Sequence, residues 1–232
     1  MNNSVFKAAL AEFVGTFALI FVGGAVVSAA IVNGWDVVPP ALGHGLIIAG
    51  MVFAFSHVSG GNFNPAVTLA LLVGGKMQID RAVIYWIAQF VGAIVAAIIL
   101  RGVLPADIPM GETTGTLTAS APWTAAVIEA ILTFLFITVI FQVAVHGKAG
   151  ILAPLAVGLT LAALFTAGGA FTGASLNPAR TLGPALIAGN LDYLLPYLVG
   201  IFGGGALAGA FGAYVMAPDP EPEPPKTPNR KK

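Results

Sequence analysis

Six long apolar stretches constrain this chain more than any other feature: residues 6–28, 38–57, 80–100, 124–145, 150–168 and 192–217. A helix needs about 20 such residues to cross a hydrocarbon layer about 30 Å thick. Inside lipid every backbone polar group must find its partner within the protein, so runs of this kind are read as spanning helices. The composition agrees. Of 232 residues 57% are hydrophobic and only 9% charged, where a soluble domain would carry about a quarter. A soluble globule, a nucleic-acid binder and a disordered chain are thereby excluded. The formal net charge is zero, so no long-range field draws in a polyanion. With no cysteine there is no disulfide, thiolate metal site or thiol catalysis. The three histidines, His44, His57 and His146, are too scattered for a zinc site, and no metal or cofactor is expected. The first run is too long for a signal peptide and carries Glu12, although Val27-Ser28-Ala29 weakly resembles a cleavage site.

Two further apolar pieces, about 64–73 and 177–188, are too short to cross. Lysine and arginine orient the spans. With six crossings, Lys7, Lys76, Arg81, Lys148 and the group Lys226, Arg230, Lys231 and Lys232 fall on one side. Arg101 is the one loop cation on the other, beside Asp107 and Glu112. Both termini are therefore expected to be cytoplasmic. Residues 218–232, proline-rich and charged, cannot bury a core and read as a disordered tail. The rest, 1–217, reads as one transmembrane domain.

The chain repeats itself. Gly45-Leu46 and Asn64-Pro65-Ala66 return as Gly158-Leu159 and Asn177-Pro178-Ala179 at an offset of 113. Glu12 returns as Glu129, and Phe90-Val91-Gly92 as Phe202-Gly203-Gly204. Repeat one covers about 5–100 and repeat two about 124–216, with three crossings each. Three is odd, so the second repeat enters from the opposite face and a pseudo-two-fold axis lies in the membrane plane. The two short pieces then dip in from opposite faces. A ten-residue helix is about 15 Å long, so two laid end to end make one composite span.

Asparagine is a good N-cap and proline is favoured at the first helical position, so Asn64-Pro65 and Asn177-Pro178 read as two helix starts meeting near the bilayer centre. An asparagine whose oxygen caps its own helix keeps an amide NH2 that can only donate. Each helix start adds about half a positive charge. Such a site suits a small neutral molecule with a lone pair and disfavours a cation. The preceding loops, Ser59-Gly60-Gly61-Asn62-Phe63 and Thr172-Gly173-Ala174-Ser175-Leu176, must be extended at membrane depth. That is tolerated where they line a wet cavity or are buried in protein. The carbonyls of Gly60, Gly61, Asn62 and Phe63, and of Gly173, Ala174 and Ser175, are thus candidate acceptor ladders leading to the two donors.

SGGNFNPAVT and TGASLNPARTLGPA resemble the paired signatures of the aquaporin (major intrinsic protein) family, over about residues 5–216. The resemblance implies an all-α membrane protein with six transmembrane helices plus two re-entrant half-helices. It also implies a homotetramer with one pore per subunit. In the family a second constriction toward the outer mouth is formed by four residues, which His44, Phe165, Ala174 and Arg180 resemble. The commonest water-channel pattern has phenylalanine on the second span and histidine on the fifth. Here the two are exchanged, as in the plant vacuolar-membrane subgroup. Asn62 stands where the family often has histidine, and its carbonyl rather than its amide is expected to face the pore. Glu12 and Glu129 sit within spans, and their symmetry favours carboxylates that accept N–H groups of the re-entrant loops over a proton-coupling role. His57 reads as a loop anchor.

Glycerol-conducting members usually have aspartate after the Asn-Pro-Ala-Arg arginine and a basic residue four positions later. Thr181 and Ala185 stand there, which favours water. Tyr197 follows the water pattern and Leu198 the glycerol one. The expectation is a passive channel for water in single file that excludes protons and ions, with ammonia and hydrogen peroxide as further solutes. The alternatives are a facilitator for glycerol or other small neutral solutes, and a proton-coupled secondary transporter. No enzyme is expected, because no nucleophile–base pair falls on one face. The partners expected are water, small neutral solutes and the bilayer, with no nucleic acid; the location expected is the cell membrane.

Overall fold

The computed structural model describes residues 3–218, so all of the tail from residue 219 lies outside the described residues. Eight α-helices account for the expected elements: α1 (Asn3–Asn33), α2 (Val38–Ser59), α3 (Pro65–Val73), α4 (Ile79–Val103), α5 (Pro122–Ile140), α6 (Ala153–Thr172), α7 (Pro178–Ala188) and α8 (Leu194–Ala210). Six of them, with short extensions, are long and apolar enough to cross a membrane. The two short ones, α3 and α7, have nine and eleven residues, about 14 and 17 Å at 1.5 Å per residue. Together they match one bilayer thickness.

The helices α2 and α6 run through Ser59 and Thr172, which were expected in the extended loops, and two further departures from the sequence reading have local causes. The first helix runs to Asn33, beyond the expected 28, because nothing breaks it before Gly34 at φ 64°. The last turns of α5 and α8 widen into π-helical segments, Phe141–Val145 and Phe211–Val215. There the buried Phe141 ring fills space left by Gly74 and Gly212, where a Cβ would lie 3.0 and 2.6 Å from it.

Packing follows the repeat. The α1–α4 pair in the first half is matched by the α5–α8 pair in the second, and α2 crosses α6 where the halves meet. At that crossing a Cβ on Gly45 would collide with the carbonyl oxygen of Gly158, and a Cβ on Gly158 with that of Gly45. Only glycine at both positions lets the two backbones approach so closely, the usual device where lipid provides no hydrophobic drive for helix association. The outward faces remain apolar, as with Leu46, Phe53, Ile87, Val127 and Leu207, all exposed. Two half-helices therefore sit inside a ring of six crossings, each entered through an extended loop.

Candidate functional site: a narrow conduit between two re-entrant loops

Each re-entrant loop leaves its spanning helix through a left-handed glycine, Gly60 at φ 97° after α2 and Gly173 at φ 79° after α6. Each then turns into its half-helix through another positive-φ residue, Phe63 at 50° and Leu176 at 54°. Such backbone persists only where the surroundings over-determine it. Two fully buried carboxylates provide that restraint. Glu12 Oε1 accepts from Ser59 Oγ (2.6 Å) and Asn62 N (3.0 Å), and its Oε2 from Phe63 N (2.7 Å) and Gln89 Nε2 (2.8 Å). Glu129 Oε1 accepts from Thr172 Oγ1 (2.7 Å) and Ser175 N (2.9 Å), and its Oε2 from Leu176 N (2.8 Å). Every partner is a donor, so both groups act as anchors of loop N–H groups.

Asn64 and Asn177 are the N-caps of α3 and α7. Asn64 Oδ1 accepts from Ala66 N at 2.8 Å, and Asn177 Oδ1 from Ala179 N at 3.0 Å and Arg180 N at 3.3 Å. Pro65 and Pro178 occupy the first helical turn. The amide groups are not wholly free. Asn64 Nδ2 donates to Leu176 O (2.8 Å) and Asn177 Nδ2 to Phe63 O (2.9 Å), so each half-helix is tied to the loop of the opposite repeat. An amide nitrogen has two N–H groups, so one donor on each asparagine is left over.

Three cavities lie in series. We call inner the face that carries Lys76 and Arg81. An inner mouth of about 590 Å³ is bordered by Ser56, His57, Gly60, Lys76 and Arg81. It shares Val52, Gly61, Asn62, Ile140 and Val157 with a central cavity of about 30 Å³. Asn64, Asn177, His44, Ala174 and Ser175 also line that cavity, and Arg180 joins it to an outer mouth of about 310 Å³. The central volume exceeds the about 10–15 Å³ a cavity needs to hold a water molecule. Asn62 turns its Nδ2 away to Thr68 Oγ1 (3.1 Å), and Phe63 is buried with its carbonyl held by Asn177. Gly173 borders the outer mouth.

His44 and Phe165 are in contact, their ring centroids 4.5 Å apart. His44 Nδ1 lies 2.8 Å from Pro40 O. A carbonyl can only accept, so Nδ1 carries the proton and Nε2, which has no partner among the described residues, keeps a lone pair in the neutral ring. Arg180 is 3% exposed; one terminal NH donates to Gly111 O at 2.6 Å, and its Nε has no partner among the described residues. Ala174 is buried at φ 43° beside them. The four therefore combine an imidazole ring, a fixed cation, an aromatic wall and a small residue at the neck of the outer mouth.

The family of known proteins with the description Major intrinsic protein (MIP) matches residues 1–211. The chain belongs to that family. Among major intrinsic proteins it is similar to a probable aquaporin TIP3-2 of Arabidopsis thaliana, 39% identical over 227 residues, which cover 91% of this chain and 84% of the relative. It is also similar to a glycerol uptake facilitator protein-like 6 of Lactiplantibacillus plantarum, 41% identical over 215 residues, or 89% of this chain and 96% of the relative. Among solved structures, the aquaglyceroporin of Plasmodium falciparum superposes with a TM-score of 0.82 at 27% identity, covering 91% of this chain and 97% of that one.

Within this major intrinsic protein several functional neighbours escape the sequence reading. Gly111 holds Arg180 from a loop 69 residues away. Gly23 on α1 makes room for the His44 ring, since a Cβ there would overlap it. Ser59 and Thr172, which donate to the two carboxylates, stand at the same 113-residue offset as the Asn-Pro-Ala motifs and were open to the same comparison.

Proposed function

We propose that this integral membrane protein is a passive channel, and not an enzyme, that conducts water in single file and excludes protons and ions. The observation that carries the reading is the pair of spare amide N–H groups, one each on Asn64 and Asn177, at a central cavity of about 30 Å³. A water molecule there accepts from both donors, so its own hydrogens point outward along the file. Its neighbours on either side then accept from it, and a proton relay would have to reverse that orientation. The two helix starts add positive potential at the same point and raise the barrier to cations. Backbone carbonyls of Gly60, Gly61 and Asn62 on the inner side, and of Gly173, Ala174 and Ser175 on the outer, replace the hydrogen bonds that water gives up on entering.

His44, Phe165, Ala174 and Arg180 form the outer filter: Arg180 donates to the passing molecule and repels cations, and the rings of His44 and Phe165 narrow the opening. Ammonia and hydrogen peroxide, small and neutral, fit the same chemistry. A second reading, a facilitator for glycerol, has support in the glycerol facilitator-like relative and the aquaglyceroporin structure. Thr181 and Ala185 weigh against it. The protein acts as a homotetramer in the cell membrane with both termini in the cytoplasm, and residues 1–217 form its single channel domain. The test is stopped-flow shrinkage of proteoliposomes. Shrinkage several times faster than in empty vesicles, with slower glycerol entry and no proton leak, is expected. Unaccelerated shrinkage, or a proton leak that scales with protein content, overturns the proposal.

A further inference from the structure

Two tyrosines that the conduit itself does not use repeat across the pseudo-two-fold axis. Tyr85 on α4 and Tyr197 on α8 are 112 residues apart and fully buried. Tyr85 OH donates to Ser59 O at 2.6 Å, and Tyr197 OH to Thr172 O at 2.9 Å. Those two carbonyls belong to the last residue of α2 and of α6, immediately before the left-handed glycines that open the re-entrant loops. A carbonyl at a helix end has no partner within its own helix, and at membrane depth water does not replace one. Each loop corner is thus gripped twice: its hydroxyl side chain by a carboxylate and its carbonyl by a tyrosine.

The two grips start differently. Arg81, at the inner mouth, donates to Tyr85 OH from Nε (3.0 Å) and a terminal NH (2.8 Å), so a cation in contact with water feeds the inner corner. At the outer corner Thr118 Oγ1 accepts from Gly115 N at 2.7 Å and lies 2.8 Å from Tyr197 OH, to which it donates, because Tyr197 gives its own proton to Thr172. The corners also lead to different residues. Ser59 Oγ accepts from Gly61 N at 3.0 Å, and Gly61 lines the central cavity but not the filter. Thr172 Oγ1 accepts from Ala174 N at 3.1 Å, and Ala174 is a wall of the filter.

We propose that Tyr85 and Tyr197 are positioning residues for permeation, Tyr85 setting the inner carbonyl ladder and so the rate, Tyr197 setting Ala174 and so the selectivity. The proposal rests on the channel reading above. Tyrosine-to-phenylalanine changes keep the ring and remove only the hydroxyl, which leaves the corner carbonyl without a donor and free to shift.

The experiment compares Tyr85→Phe, Tyr197→Phe, Arg81→Gln and Thr118→Val with wild type, full-length in proteoliposomes, measuring water and urea permeability per channel. Tyr214→Phe is the control: its hydroxyl donates to Val73 O at 3.0 Å at the exposed inner end of the last helix, away from both loops. Loss of one hydrogen bond corresponds to about a fivefold change. Tyr85→Phe should lower water permeability by about that factor at an unchanged urea-to-water ratio, and Arg81→Gln should follow it. Tyr197→Phe and Thr118→Val should raise the urea-to-water ratio by about the same factor. Wild-type values in all four variants overturn the proposal, and so does an equal change of both readouts in both tyrosine variants, which would mark a general loosening. If a phenylalanine variant does not fold, Arg81→Gln and Thr118→Val decide the same question. Wild-type protein that fails to accelerate water flux overturns the channel reading instead.

Discussion

Replacing Glu129 with glutamine tests how the outer loop is held. The carboxylate takes three donors: Thr172 Oγ1 and Ser175 N on one oxygen, Leu176 N on the other. An amide has one oxygen and one NH2. If its oxygen faces Ser175, the NH2 confronts the Leu176 N–H; if it faces Leu176, the NH2 confronts Ser175. The threonine hydroxyl can rotate to accept, but a backbone N–H cannot. One buried N–H is thus orphaned in either orientation, at about 1–3 kcal/mol. The two surviving bonds fall from charge-assisted to neutral strength, about 1 kcal/mol each. The sum is about 3–5 kcal/mol, and a chain of this size loses about 2–4 °C per kcal/mol, so the midpoint of thermal unfolding should drop by about 6–20 °C. Thermal unfolding of the purified protein in detergent, followed by tryptophan fluorescence, reads this directly. Water permeability should fall with it, because Ser175 lines the central cavity. A Glu129→Gln protein that melts within about 1 °C of wild type would refute the anchoring argument.

Three further outcomes are expected. Gly45→Ala and Gly158→Ala should each destabilise by about 1–3 kcal/mol, and the double variant by less than the sum, because both act on one helix crossing; additivity in chemical unfolding would contradict the crossing. His44→Ala removes a ring in contact with Phe165, so glycerol entry should rise by about tenfold while water flux persists, as read by vesicle swelling in glycerol. His146, beyond the inner end of α5, has its pKa lowered by burial and by Lys76 and Lys148. The unfolded segment therefore binds the proton more readily, and the contribution of His146 is full above about pH 6.5 and lost as pH falls below it. Hydrogen exchange of amides 141–149, corrected for intrinsic rate, should accelerate on acidification in wild type and not in His146→Gln.

Much of the fold was legible because lipid leaves few options. Hydrophobic length marks the crossings, and the return of Asn-Pro-Ala at a fixed offset gives the inverted symmetry. Features held by single atoms at long range were not legible. The widening of α5 into a π-helical turn depends on Phe141 finding two glycines, Gly74 and Gly212, far away in the chain. The cross-ties from Asn64 to Leu176 and from Asn177 to Phe63 join backbone carbonyls, which leave no trace in residue identity. Arg180 was placed by its motif, but its anchor is the carbonyl of Gly111 in an irregular loop. The tyrosine pair lay within reach of the same comparison that exposed the glutamates, since Tyr85 and Tyr197 stand at nearly the same offset.

The reciprocal ties between the asparagines and the opposite loops make each half dependent on the other. A half-length chain on its own would hold an asparagine donor and a loop carbonyl in the greasy interior with no mate for either. The same half inserted upside down beside it would supply both at once. Severing this chain between Val103 and Pro122 should therefore yield fragments that need each other, or an inverted copy, to satisfy these groups.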